Sequence, residues 1–217
     1  MIYLRRMTDA SMTAEKLLQA GAVKLSAAEP FTWASGWKSP IYCDNRKLLS
    51  LPFTRDYIKS ELANLIFEKF PDAEVIAGVA TAGIAWGAMV ADQLKLPFIY
   101  VRPKPKEHGL GNQIEGEYSQ GQKVVVIEDL VSTGKSSLQV VEVLRKGGVT
   151  VTGMASIFNY AFTVSEQAFK EASVDYYSLT DYPNLLEMAE QKGTIAAQEK
   201  AVLLNWRLDP ANWKGVS

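Results

Sequence analysis

Four consecutive β-branched residues, Val124-Val125-Val126-Ile127, stand between Lys123 and the acids Glu128 and Asp129. A strand with one wet face alternates polar and apolar side chains. A run that is apolar at every position is covered on both faces, the condition of a parallel sheet sandwiched between helices. The run ends in two carboxylates and then in Leu130-Val131-Ser132-Thr133-Gly134-Lys135-Ser136, so a buried strand opens into a polar turn.

The surroundings repeat this alternation. Short apolar runs at residues 74–79, 97–101, 123–127 and 149–158 read as strands, and residues 83–94 and 134–146 read as helices between them. Residues 12–20, stopped by Gly21, and 52–70, opened by Ser50 with Pro52 in the first turn, have helical spacing. Residues 162–172, 183–192 and 194–207 also read as helices. The expectation is an α/β, Rossmann-like doubly wound parallel sheet flanked by helices. Residues 31–46, aromatic, Ser-rich and broken by Gly and Pro, suggest that about residues 1–50 form a small hood. At 217 residues, with no repeat or long linker, the whole chain is expected to be one domain.

Charge narrows the classes of partner. Lys and Arg number 23 against 24 Asp and Glu, leaving no field to draw the chain onto nucleic acid or an anionic membrane. The uncharged stretch 75–91 falls short of the roughly 20 apolar residues of a spanning helix and carries Gly78, Gly83 and Gly87. Neither nucleic acid nor membrane is expected as a partner. The single cysteine, Cys43, fits a reducing, cytoplasmic setting. No secretory signal is read at the start, where Met7 offers a second start after Met1.

A loop that leads from a strand into a helix N-terminus presents free N–H groups and the positive end of the helix dipole, and small residues let a phosphate approach. Ser132, Thr133 and Gly134 supply such a cradle. Gly134-Lys135-Ser136 is not a nucleotide-binding P-loop, because Asp129 stands where that motif needs its first glycine. Two acids just ahead of a phosphate site would repel a polyphosphate unless they bind sugar hydroxyls or a bridging metal, which points to a ribose phosphate. An acidic strand end followed by a Ser/Thr cap is the plainer alternative.

The run 124–136 resembles the 5-phosphoribosyl 1-diphosphate (PRPP) motif of type I phosphoribosyltransferases: four apolar residues, two acids, two apolar residues, then Ser-Thr-Gly. That resemblance implies the type I phosphoribosyltransferase fold. It places Glu128 and Asp129 against the ribose hydroxyls and wraps Leu130, Val131, Ser132, Thr133, Gly134, Lys135 and Ser136 around the 5-phosphate.

About twenty residues without apolar periodicity separate Val101 from Lys123, opening with Arg102-Pro103-Lys104-Pro105-Lys106-Glu107-His108-Gly109. A long loop in a compact domain is usually functional, and cations closing over a departing diphosphate would lower the barrier. Arg102, Lys106 and His108 are the catalytic candidates; a solvated basic loop is the alternative. His108 is the only histidine and no Gly-x-Ser-x-Gly elbow accompanies it, so a serine hydrolase is disfavoured.

The loop, with Gly111-Asn112-Gln113-Ile114-Glu115-Gly116, is similar to the catalytic loop of orotate phosphoribosyltransferases, and Phe31-Thr32-Trp33-Ala34-Ser35-Gly36-Trp37-Lys38-Ser39-Pro40 resembles the N-terminal pattern of the same family. The resemblance implies transfer of phosphoribose from PRPP to orotate, giving orotidine 5'-phosphate in pyrimidine biosynthesis. It further implies Mg2+ chelated by the substrate, with no protein ligand assigned, and a homodimer in which one subunit's loop covers its partner's site. Some members have a second basic residue after the arginine, where Pro103 stands here, and some have a lysine where Ala34 stands. Tyr42 is suited to stack on a flat pyrimidine; Ser132 carries over as an orotate contact. Trp33 and Trp37 serve structure at least as readily as base contact. Ala80-Thr81-Ala82-Gly83 is placed like the family's diphosphate loop, a plain strand-to-helix turn being the equal alternative. A phosphoribosyltransferase for another base and a PRPP-sensing regulator are the competing readings.

Overall fold

The computed structural model describes residues 9–33, 36–104 and 113–215. Its centre is a six-stranded sheet made of β5 (Val75–Val79), β6 (Phe98–Val101), β7 (Ile114–Glu115), β8 (Lys123–Val131), β9 (Thr150–Asn159) and β10 (Tyr176–Asp181), in the spatial order β10-β9-β8-β5-β6-β7. All neighbours are parallel except β6 and β7.

The unbroken apolar run does what its pattern requires. Val125 and Ile127 enter one buried cluster while Val124 and Val126 enter another on the opposite face. The first cluster is filled by α1 (Asp9–Gln19), α2 (Pro52–Lys69), α3 (Ala82–Leu94), α6 (Tyr182–Gln191) and α7 (Ala197–Leu208), through residues such as Leu17, Ile58, Trp86, Leu185 and Trp206. The second takes Val140, Val141 and Leu144 of α4 (Lys135–Lys146) and Phe169 of α5 (Thr163–Glu171). A fully buried Leu or Ile in either cluster contributes on the order of 1.5–3 kcal/mol.

The N-terminal segment is built from two small antiparallel pairs. β1 (Val23–Leu25) pairs with β4 (Ile41–Cys43), and β2 (Phe31–Thr32) with β3 (Lys38–Ser39); a 3-10 turn over Asn45–Ser50 then leads into α2. This hood is not set apart from the core, because Val23, Ile41 and Leu48 belong to the same cluster as Trp86 and Ile127.

Three elements depart from the sequence expectation. β8 continues to Val131 instead of ending at residue 127, since Leu130 and Val131 still pair with β9 at Phe158 and Asn159. β10 falls in a stretch, Tyr-Tyr-Ser-Leu-Thr-Asp, whose mixed polarity suits a sheet edge and hides it from a search for apolar runs. β7 is a two-residue strand inside the segment read as loop.

Candidate active site

β5 and β8 are neighbours, yet the chain leaves β5 toward β6 and leaves β8 toward β9 on the other side. Such a switch of direction opens a crevice beyond the carboxyl ends of the two strands, where ligands of open α/β sheets bind. Close packing shapes its floor. A Cβ on Gly83, at the start of α3, would lie 2.5 Å from the Ile127 carbonyl oxygen, and one on Gly78 would lie 2.7 Å from the Gly83 oxygen. Only glycine lets α3 sit this tightly on β5 and β8. The turn Ala80-Thr81-Ala82-Gly83 therefore meets the end of β8, with Thr81 exposed at the head of α3.

On the other wall, Ser132, Thr133 and Gly134 connect β8 to α4. Gly134 caps α4 at φ +78°, and a Cβ there would also meet the Phe169 ring at 2.9 Å. The first helical bond runs from Leu138 N–H to the Gly134 carbonyl, so the N–H groups of residues 134–137 have no partner within the helix. Lys135 and Ser136 are exposed. The side chain of Val131 is buried, in the cluster with α4, and only its backbone can face a ligand.

Glu128 and Asp129 sit where β8 has outrun β5, whose last pairing is Gly78 with Ile127. Burial, and then the charge of Asp129, pushes the Glu128 carboxyl well above the carboxylate range. Burial also raises Asp129, opposed by hydrogen bonds from Glu128 and the backbone and by the nearby Arg46 guanidinium. One contact was invisible in the sequence: the Asn45 amide, fully buried, donates to the Asp129 carbonyl at 2.7 Å and ties the hood to the acids across 84 residues.

Beside the acids lies a cavity of about 250 Å³ lined by Thr32, Trp33, Tyr42, Cys43, Leu130, Ser132 and Tyr160. It brings Tyr42 of the hood and Ser132 of the cradle together. Tyr42, 40% exposed, packs on Phe31 with ring centroids 5.8 Å apart. Trp33 is a wall: its indole N–H donates to the Ile41 carbonyl, and its ring leans on Tyr160 and Trp206. Trp37 stacks on Trp33 and does not line the cavity. Burial, with Asp129 and Asp44 adding to it, raises the Cys43 thiol and keeps it protonated. Larger cavities beside α1 and between α2 and α3 include neither Tyr42 nor any residue of the 130–134 turn.

At the edge of the sheet, Arg102 follows β6. Its N–H donates to the Gln113 carbonyl at 2.9 Å, the Gln113 amide returns a bond to the Arg102 carbonyl at 2.8 Å, and its guanidinium lies 3.7 Å from Glu115. The base of the loop is thus closed. Lys106 and His108 lie outside the described residues.

Comparison with known proteins bears on this geometry. The family described as "Phosphoribosyl transferase domain" matches residues 54–179, from α2 to β10. The orotate phosphoribosyltransferase of Phocaeicola vulgatus is 55% identical over 201 residues, covering 93% of this chain and 95% of that protein. This chain belongs to the orotate phosphoribosyltransferase family. Another orotate phosphoribosyltransferase, from Bacillus cereus, is 54% identical over 199 residues, with 92% and 95% covered. Among solved structures, the orotate phosphoribosyltransferase of Aeropyrum pernix superposes with a TM-score of 0.72 at 31% identity, covering 85% of this chain and all of that one. The two curated relatives match over about 200 residues, well beyond the span 54–179 of the family match.

Proposed function

We propose that this chain transfers the 5-phosphoribosyl group of PRPP to orotate, releasing diphosphate and giving orotidine 5'-phosphate for pyrimidine biosynthesis. The observation that carries this reading is the placement of Ser132 at once in the helix-capping cradle and in the wall of the 250 Å³ cavity. A phosphate in the cradle and a flat base in the cavity would then be one ribose apart, with the acids between them.

Each residue has a stated task. The N–H groups of residues 134–137 and the dipole of α4 hold the 5-phosphate, helped by the hydroxyls of Ser132, Thr133 and Ser136. Lys135 adds charge, and Leu130 and Val131 contribute backbone. Glu128 and Asp129 receive the ribose hydroxyls; a sugar that donates to them favours their charged forms over the neutral forms that burial prefers. Tyr42 covers the base. As a base nitrogen bonds to the anomeric carbon and the carbon–oxygen bond to diphosphate breaks, negative charge grows on the leaving group. Arg102, Lys106 and His108 oppose it, with the loop contributed by a partner subunit.

Among the described residues no three His, Cys, Asp or Glu side chains cluster as a metal site. A Mg2+ ion brought in by the substrate would find Glu128 and Asp129 nearby as charge partners and would offset the diphosphate charge. No helix among the described residues is long and apolar enough to cross a membrane; a cytoplasmic homodimer acting without nucleic acid completes the proposal.

The test is diphosphate release from PRPP and Mg2+ with orotate, uracil, hypoxanthine, adenine or no base. Release with orotate alone supports the reading. Release with another base removes the assignment of the cavity, and binding without release favours a regulator. Mixing Lys106→Ala with Asp129→Asn subunits tests the shared loop: random dimers should recover about a quarter of wild-type activity, and no recovery refutes sharing.

A further inference from the structure

Tyr160 follows β9 directly, and its N–H donates to the Val131 carbonyl at 3.0 Å, so its backbone is fixed to the residue before Ser132. Its ring is wedged among five others: Trp33 at 5.0 Å, Phe158 at 5.2 Å, Phe162 at 5.4 Å, Trp206 at 6.0 Å and Tyr182 at 6.2 Å between centroids. Packed this way the side chain cannot swing aside. It is 2% exposed, yet it lines the cavity shared by Tyr42 and Ser132.

The hydroxyl sets this tyrosine apart from its neighbours. That of Tyr182 donates to the Leu203 carbonyl at 3.1 Å, and that of Tyr176 bonds to Ser156 at 2.7 Å. Among the described residues the Tyr160 hydroxyl has no such partner. With the ring faces covered by aromatics, the little of Tyr160 that is exposed is its edge on the cavity, and a partner for the hydroxyl can come from there.

We propose that the Tyr160 hydroxyl is a specificity-determining group that donates a hydrogen bond to an exocyclic oxygen of the pyrimidine bound in this cavity. The inference rests on the orotate reading of the cavity and deepens it. Burial, with Cys43, Tyr182 and Asp129 adding smaller effects, raises the phenol well above its ordinary value, so it remains a neutral O–H donor across the physiological range. A fixed donor matches a base that presents oxygen and leaves itself unpaired before one that does not; a site built to hydrogen-bond its substrate rejects an analogue lacking the group.

The experiment is steady-state kinetics of Tyr160→Phe, which removes one oxygen and keeps the ring packing. The KM for orotate should rise roughly tenfold or more, the loss of one hydrogen bond to a charged ligand, while the KM for PRPP stays within about twofold. Preference for orotate over adenine, which carries no exocyclic oxygen, should fall with it, whereas uracil shares both ring oxygens with orotate and should lose affinity in parallel. Tyr182→Phe is the control for a purely structural loss: it should lower the unfolding midpoint and leave both KM values in place. An unchanged orotate KM in Tyr160→Phe, or both KM values rising together with a lowered midpoint, overturns the proposal. If the wild-type protein uses another base, the orotate reading fails, and Tyr160→Phe measured with that base decides the hydroxyl separately.

Discussion

Asn45→Ala tests the bridge between hood and acids. In the native protein the Asn45 amide meets a carbonyl of β8 that lies beyond the last pairing with β5, and the Cys43 thiol donates to the Asn45 side-chain oxygen at 3.4 Å. Leaving a buried acceptor unpaired costs about 1–3 kcal/mol. The crevice is open enough for water to recover part of this, so a loss of about 1.5–2 kcal/mol is expected, which for a chain of this size lowers the unfolding midpoint by roughly 3–8 °C. Freed from the clamp, the Asp129 main chain shifts against the ribose, and about tenfold in the KM for PRPP corresponds to 1.4 kcal/mol of lost positioning. Differential scanning fluorimetry and PRPP titration at saturating orotate measure both. Asn45→Asp should be worse at neutral pH, because it sets a carboxylate oxygen against a carbonyl oxygen beside Asp129, and should partly recover at acid pH, where a protonated carboxyl can donate. An Asn45→Ala protein with its midpoint within about 1 °C of wild type and an unaltered KM for PRPP would refute the clamp.

Glu128, whose carboxyl is raised by burial and then by Asp129, binds a proton more tightly folded than unfolded, so its contribution to stability is full below the ordinary value of 4.5 and is lost as pH climbs through the elevated folded value. Glu128→Gln should flatten that decline in a series of melts across pH, and a slope equal to wild type would contradict the assignment. Gly134→Ala must force a side chain into φ +78° and against Phe169, and should lose more than 1 kcal/mol together with PRPP affinity; Gly193→Ala, at φ +69° in open space, should show the backbone strain of about 1 kcal/mol alone, with PRPP affinity intact. Equal effects at the two glycines would mean that the Phe169 contact is immaterial. Lys106→Ala and His108→Ala should lower turnover far more than PRPP binding, and parallel losses in single-turnover and binding assays would end the lid reading.

How much of this was legible in the sequence follows from distance along the chain. The acids, the cradle and the strand that delivers them are contiguous over residues 124–136, so one short run carries both packing and chemistry. Tyr42 stands out in the sequence as a ring able to stack on a flat base and Ser132 only through the resemblance, and the two line one cavity. Asn45 and Tyr160 left no comparable signal. Asn45 looks like a turn residue, and Tyr160 follows an aromatic and apolar strand end that reads as core, which five of its ring contacts make it. The only available hint was that β9 would lie beside β8, so that residues just past both strands share a rim. Strands as short as β2, β3 and β7 have too few residues for any periodicity to show.

The double-sided burial of β8 has a consequence for folding fidelity. In a sheet with one wet face, a slip of one residue exposes every apolar side chain, and hydrophobicity alone holds the pairing. Here Val124, Val125, Val126 and Ile127 are nearly interchangeable between the two faces, so a slipped strand would fill the interior almost as well. What such a slip could not survive lies at the strand's far end: Gly83 against the Ile127 carbonyl, Asn45 on the Asp129 carbonyl, and an exchange of the two acids between hood side and helix side. The acids proposed to bind the sugar and the glycine that makes room for them thus also select one alignment of the strand.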